Sequence, residues 1–403
     1  MKAKILFIDD HRNILDSLRL SLRSMRNEWD MSFAASGAEG LDIFETFLPD
    51  VVVTDMRMPN MDGTHVLRKI QKRKPDVGKI ILSGYSDKET VIKNIQLANE
   101  YLSKPCKTQD LIEAIRNTLR TNDIILNPEI KSVIAEIETI PASMVVYEQL
   151  IAELENQNTT SRAISEIIAQ DVALTANIVR IINCTFFNFP KQVRDIDHAV
   201  QLLGPQTLLN IVKSSQIFEK FKEFDESEIS LKMLWEHSLR VASLSKLIAA
   251  SSDLTETNCS DCVVASMFHD IGKFIFASKM KHQFSKAIAM VREEKCSLDV
   301  AEKCILGSSH AEVGAYLLAR WGFSHDQVSI LRSHHDESVM DSQAVTPQMV
   351  LFVADCLDHD LVHIKDRFKR HTLDFLENFS ERHRQLINEW RILCQKNIQG
   401  VLQ

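Results

Sequence analysis

Glycine is scarce in this chain, 11 residues in 403, and aromatic side chains make up only 7%. So few turn-formers weigh against a turn-rich β sandwich or barrel and favour helices. No apolar run reaches the roughly 18 residues that a membrane span needs, so no membrane partner is expected. The start, "MKAKILFIDD", meets acids too soon to be a signal peptide, and the chain is expected to stay in the cytoplasm. Basic residues are outnumbered, 47 against 55 acids, giving a net charge of −8 and no electrostatic footprint for nucleic acid. "VQLLGPQTLLNIV" imitates a helix-turn-helix, but no basic stripe accompanies it. The eight cysteines are scattered, and the lone C-x-x-C of "CSDC" has no second pair at zinc-ribbon spacing. They read as free thiols.

What is present divides the chain in two. Over the first 120 residues, five short apolar runs, "AKILFID", "DMSFAAS", "DVVVTDM", "GKIILSG" and "EYLSK", alternate with amphipathic stretches. One such stretch sets Ile14, Leu15, Leu18 and Leu22 on a single helical face. This alternation predicts a five-stranded parallel sheet, doubly wound, with helices on both faces. Beyond about residue 127 the strand signal disappears and helix follows helix to the end.

Carboxylates fall at two predicted strand ends, Asp9 and Asp10 after the first and Asp55 after the third. In an open parallel sheet those ends form the crevice where ligands bind. Three acids there would repel one another unless a hard cation joined them, and oxygen-only ligation points to Mg²⁺. Ser83 and Lys104 at the fourth and fifth strand ends add a hydroxyl and a fixed positive charge. The set suits phosphoryl transfer to Asp55, with metal and lysine neutralising the equatorial oxygens.

With "FIDD", "VVTDMRMPNMDG", "ILSG" and "YLSKP" standing in order, residues 1–122 resemble a response-regulator receiver domain of flavodoxin-like fold. The resemblance implies Asp55 as phospho-acceptor. It implies Mg²⁺ on Asp9, Asp10, Asp55 and the Arg57 backbone carbonyl, Lys104 as the phosphate's ion-pair partner, and a cis Lys104–Pro105 bond. It makes Ser83 and Tyr101 a switch pair, with Tyr101 turning inward once Ser83 is drawn to the phosphate. A cognate sensor histidine kinase, and a homodimer through the face of the receiver's fourth and fifth helices, are further implications of the family.

The helical region carries His237, His269, Asp270, Lys273, His310, His334, His335 and Asp355, in the order H…HD…H…HH…D on separate segments. Imidazole with carboxylate suits Fe, Mn, Zn or Ni, and a bridging carboxylate can join two ions. This order and "HDIGK" resemble the HD superfamily of metal-dependent phosphohydrolases. The resemblance makes His237, His269, Asp270 and Asp355 core ligands, gives His310, His334 and His335 to a second metal, and turns Lys273 to the phosphate. "SHHDESVMDSQAVTP" lacks the Gly-Tyr-Pro loop of the cyclic di-GMP phosphodiesterases of that superfamily.

The preceding segment resembles an HDOD domain, the HD-related output domain. It carries the early Ile-Pro (Ile140), "IIAQDVALT", Asn183 and "AVQLLG", and departs at Val172 and Cys184. The expected organisation is a receiver at 1–122, a linker helix at 123–138, an all-α HDOD domain at 139–365 and a helical tail at 366–403. The function expected is a response regulator in which phosphorylation of Asp55 controls a non-catalytic HDOD domain acting on a downstream signalling protein. The alternative is a phosphorylation-regulated metal phosphodiesterase acting on cyclic di-GMP or another nucleotide.

Overall fold

The computed structural model describes residues 2–84, 97–125, 127–137, 140, 143–156, 158–183, 196–214, 230–361 and 379–401. Five strands, β1 (Ala3–Ile8), β2 (Trp29–Ala34), β3 (Val51–Asp55), β4 (Gly78–Ser83) and β5 (Glu100–Ser103), form one parallel sheet in the order β2-β1-β3-β4-β5. Each matches a predicted run. The order reverses between β1 and β3, which places the crevice of a doubly wound sheet at Asp9, Asp10 and Asp55.

Strand residues alternate between two cores, as a period of two requires. Ile5, Phe7, Val51, Val53, Ile80 and Leu82 pack on one face with Leu15 of α1 (Arg12–Ser21) and with Leu111 and Ile115 of α4 (Thr108–Asn122). Leu6, Ile8, Val52, Ile81 and Tyr101 pack on the other with α2 (Gly37–Phe47) and α3 (Gly63–Arg73). Ser36 caps α2, accepting from Glu39 N at 3.2 Å, and Asp62 caps α3, accepting from His65 N at 2.7 Å. Residues 85–96, between β4 and β5, lie outside the described residues, so of the implied dimer face only α4 is described.

The linker is a docked helix. α5 (Pro128–Ala135) buries Ile130 and Ile134 in the same core as the α2–α3 face of the sheet, and Gln71 Nε2 of α3 donates to Ala135 O at 2.9 Å. The helical region follows as α6 (Met144–Glu155), α7 (Ser161–Ile168), α8 (Val172–Asn183), α9 (Ile196–Ser214), α10 (Leu231–Ala250), α11 (Glu256–Phe268), α12 (Ile271–Lys279), α13 (Lys281–Glu294), α14 (Leu298–Leu306), α15 (His310–Arg320), α16 (His325–Arg332), α17 (Pro347–Leu361) and α18 (Glu381–Val401). The segment that imitates a helix-turn-helix lies in α9, which kinks at Gly204, where φ is 72° and Pro205 follows. The predicted tail is docked too: α18 buries Ile387, Trp390 and Cys394 and packs on α10 and α17. The expected boundary at residues 365/366 and the departure at Cys184 lie outside the described residues.

All cysteines among the described residues are free thiols. Among those residues no helix is long and apolar enough to cross a membrane.

Candidate phosphoryl and metal sites

At the crevice the Lys104 ammonium joins two strand ends, 2.8 Å from Asp9 Oδ2 and 2.5 Å from Asp55 Oδ1. Asp9 and Asp55 are buried, and Asp9 Oδ1 also accepts from His11 N at 2.9 Å. Asp10 sits at the rim beside His11, and Asp9, Asp10 and His11 each offer an atom within 4.8 Å of the others. Three carboxylates face one ammonium, and a divalent cation matches the remaining negative charge. Burial pushes the Asp55 carboxyl above its ordinary pKa, Asp9 adding and Lys104 opposing. Burial alone would lower Lys104, but its bonds to Asp55 and Asp9 outweigh this and keep it charged.

The backbone builds this pocket. Lys104 N donates to Ser83 O at 2.7 Å, carrying the β4–β5 ladder one step further and fixing the lysine's stem at the strand tops. Gly63 N donates to Met56 O at 2.9 Å and folds the loop after β3 back onto the strand. A Cβ at Gly63 would lie 2.1 Å from the Asp55 carbonyl oxygen, so only glycine fits there. Arg57 lies exposed in that loop, two residues past Asp55. The Lys104–Pro105 bond is cis, as the resemblance implies. Ser83 Oγ is fully buried with no hydrogen bond among the described residues. Tyr101 is buried, 1% exposed, in the core on the α2–α3 face of the sheet.

The second site gathers side chains from six helices and their ends. The α11–α12 junction presents His269 and Asp270 together, and Ser309 opens α15 with a capping box shared with Glu312, which sets His310 in the first turn. Gly272 allows these two helix starts to meet, since a Cβ there would lie 2.0 Å from His310 O. A prediction follows. Gly272→Ala forces α12 and α15 apart and is expected to cost about 1–3 kcal/mol, read as a lower urea midpoint with unchanged m-value. An unchanged midpoint would show that the contact is not required.

The imidazoles are tethered outward. His237 Nδ1 lies 2.8 Å from Asp358, His269 Nδ1 2.7 Å from Ser266 O, His310 Nδ1 2.6 Å from Glu302 and His334 Nδ1 2.7 Å from Leu331 O. Every one of these partners accepts, so each Nδ1 carries the proton and each Nε2 is the atom turned inward. Inside, His237 Nε2 stands 3.1 Å from both His269 Nε2 and Asp355 Oδ1. His310 Nε2 stands 2.9 Å from His335 Nε2. Asp270 lies between the groups, Oδ2 3.6 Å from the Nε2 of His237 and of His269, Oδ1 3.4 Å from that of His310 and 3.8 Å from that of His334. Asp270 Oδ1 and His334 Nε2 are buried with no hydrogen bond among the described residues.

Two sets of donors thus share one carboxylate: His237, His269 and Asp355 on one side, His310, His334 and His335 with Asp270 on the other. Lone pairs facing each other at such distances require a proton or a cation between them, and this donor set fits the Fe, Mn, Zn or Ni class. Burial disfavours the His237 imidazolium, but bonds to Asp355 and Asp358 raise its pKa to about 9. Burial, with His269 and His310 nearby, lowers His334 to about 3, and His335 is likewise held neutral. Asp270 is ionised despite its burial because Lys273, His269 and His310 surround it, and Lys273 Nζ donates to Asp270 Oδ2 at 2.7 Å.

Asp9, Asp55 and Lys104 meet at the first site, and His237, His269, Asp270, Lys273, His310, His334, His335 and Asp355 at the second. The sequence did not disclose the outer holders. Asp358 accepts from Arg240 at 2.7 and 3.0 Å as well as from His237, and His359 lies 3.3 Å from Asp355. Fully buried Glu302 takes both the ring and the backbone N–H of His310. The available signal was spacing: Asp358 and His359 follow Asp355 by three and four residues, on one helical face.

A doubly wound sheet with acids and a lysine at its switch point, followed by helices around a His/Asp centre, defines a two-module signalling protein. Residues 5–116 match the response regulator receiver domain family and residues 140–337 the HDOD domain family. The chain belongs to the response regulators, with a receiver followed by an HDOD domain. An uncharacterized protein of Treponema pallidum (strain Nichols) is 24% identical over 54% of this chain and 41% of its own length, so the chain spans less than half of it. Response regulator MprA of Mycobacterium sp. (strain KMS) is 27% identical over 45% of this chain and 86% of its own. The crystal structure of the MmoQ response regulator from Methylococcus capsulatus str. Bath is 18% identical over 64% of this chain and 98% of that one, with a TM-score of 0.48.

Proposed function

We propose that a sensor kinase phosphorylates this response regulator on Asp55, with Mg²⁺ held by Asp9, Asp10, Asp55 and the Arg57 carbonyl. The HDOD domain then acts on a downstream signalling protein through contacts rather than turnover. The observation that carries the first half is the single ammonium of Lys104 bridging the buried Asp9 and Asp55 carboxylates. Magnesium supplies charge neutralisation for the incoming phosphoryl group. Asp55 supplies the attacking oxygen, Lys104 steadies the equatorial oxygens, and the Ser83 hydroxyl is the buried donor ready for one of them. Labelling by acetyl phosphate in the presence of Mg²⁺ tests it.

The His/Asp centre is read as a metal site that organises the HDOD core. Most of its inward donors are buried, with His269 and His310 0%, Asp270 and His334 1%, Asp355 4% and His237 7% exposed, while His335 is half-buried. Lys273, which the HD resemblance turns to phosphate, is spent on Asp270. A dinucleotide needs an open face over its metals, so burial supports binding without hydrolysis. The completeness of the donor set favours one rival, a metal phosphodiesterase. The purified chain with Mn²⁺ or Fe²⁺ is expected to hydrolyse cyclic di-GMP no faster than buffer. Turnover that disappears in Asp270→Ala would install the enzyme instead.

A further inference from the structure

The two halves of the His/Asp centre are positioned by different parts of the molecule. His237, His269 and Asp355 stand on α10, at the end of α11 and on α17, three helices that pack against one another. His310 depends on the α14–α15 corner, where Glu302 of α14 fixes both its ring and its backbone N–H.

That corner is also where the receiver and α5 are attached. Asn127 performs two tasks with one amide. Its Oδ1 caps α5, accepting from Glu129 N at 2.9 Å, and its Nδ2 donates to Leu306 O, the last carbonyl of α14, at 3.0 Å. Gly307 follows in the left-handed region at φ 81°, and a Cβ there would come within 3.3 Å of that Nδ2. α15 itself packs against α4 of the receiver and against α5. Lys79 at the start of β4 is only 1% exposed, and its Nζ reaches Gln71 Oε1 at 3.3 Å and Pro75 O at 3.2 Å. Burial first, and the positive charge of Arg320 on α15 second, hold the Lys79 pKa well below its ordinary value, with Asp76 opposing. The other end of β4 is Ser83, beside Asp55.

We propose that the receiver and α5 hold the α14–α15 corner, so that phosphorylation of Asp55 resets cation affinity at the His310 half of the centre and leaves the His237 half unchanged. The proposal rests on the reading of the centre as a metal site. Its physical basis is contact: α15 packs on α4 of the receiver and on α5, and one amide joins the start of α5 to the last carbonyl of α14, four residues before His310. Loss of an outer partner that orients a histidine ligand commonly costs 10- to 100-fold in metal affinity, so a small tilt of α15 away from Glu302 is enough.

The test is a Mn²⁺ titration of the full chain in saturating Mg²⁺, which keeps the receiver site filled, with and without beryllofluoride as the phosphoryl mimic. Two Mn²⁺ classes are expected, one shifting about tenfold or more with the mimic and the other staying within about twofold. His310→Gln identifies the responsive class by removing it. Asn127→Asp keeps the cap on α5, since aspartate caps as well as asparagine, but cannot donate to Leu306 O. It is expected to blunt the response to below about twofold with both classes still present. Arg320→Gln, at the opposite end of α15, is the second variant and should blunt it likewise. Linkage supplies an internal check: Mn²⁺ must shift beryllofluoride affinity by the same factor. A shift of both classes, of neither, or one undiminished in both variants overturns the proposal while the metal reading stands. Absence of any Mn²⁺ beyond the receiver overturns the metal reading and the proposal together.

Discussion

Incubated with acetyl phosphate and Mg²⁺, the chain is expected to take up one phosphoryl group, and Asp55→Asn is expected to take up none. Acetyl phosphate loses acetate as a carboxylate oxygen attacks phosphorus, so the product is an acyl phosphate on whichever acid can reach in line. Asp9 is a poor candidate because both its oxygens are engaged, one by His11 N and one by Lys104. Asp10 stands at the rim against the exposed His11 ring. Asp55 ends β3, between β1 and β4, with Lys104 beside one oxygen. Asparagine keeps the shape and removes the nucleophile. Lys104→Ala removes charge opposite the developing phosphoryl oxygens and should slow labelling by a factor on the order of 10², the usual cost of losing one such donor. Intact-mass spectrometry follows both. Undiminished labelling of Asp55→Asn would move the acceptor elsewhere and undo the assignment.

The receiver was legible in the sequence because its rules are local. Period-two apolar runs become strands, and acids at their ends become the crevice, whatever else the chain does. The His/Asp centre was legible only as an ordered set of ligand types, because "HDIGK" puts unlike donors side by side after an apolar stretch and His334 and His335 put two imidazoles together. Its holders were not. Glu302 and Asp358 each sit in an amphipathic helix where a lone acid reads as a solvated face, and only tertiary packing turns them inward. Asn127 was hidden for a similar reason: an Asn-Pro pair announces a helix start, but its second bond is to a carbonyl 179 residues away.

Stripping the metal from the His/Asp centre is expected to lower the melting temperature by about 5–10 °C, and the variant Asp270→Asn is expected to be indifferent to chelator. A ligand that binds only the folded state at about 100 times its dissociation constant stabilises by about 2.7 kcal/mol. In a domain of this size each kcal/mol moves the transition by roughly 2–4 °C. Asp270 is the variant to choose because its two oxygens face different histidine groups, so the amide weakens both halves at once. Asparagine also leaves Lys273 an oxygen to bond, which a truncation to alanine would not. Loading should release protons, because Asp355 and Asp358 raise the His237 pKa to about 9 against its burial, and the proton they retain occupies the face a cation would take. Calorimetric titrations in buffers of different ionisation enthalpy read that release directly. A melting temperature untouched by chelator in the native chain, together with no metal by elemental analysis, would return the centre to a hydrogen-bonded core: His237 would stay protonated between Asp355 and Asp358, and the inward nitrogens would serve packing alone.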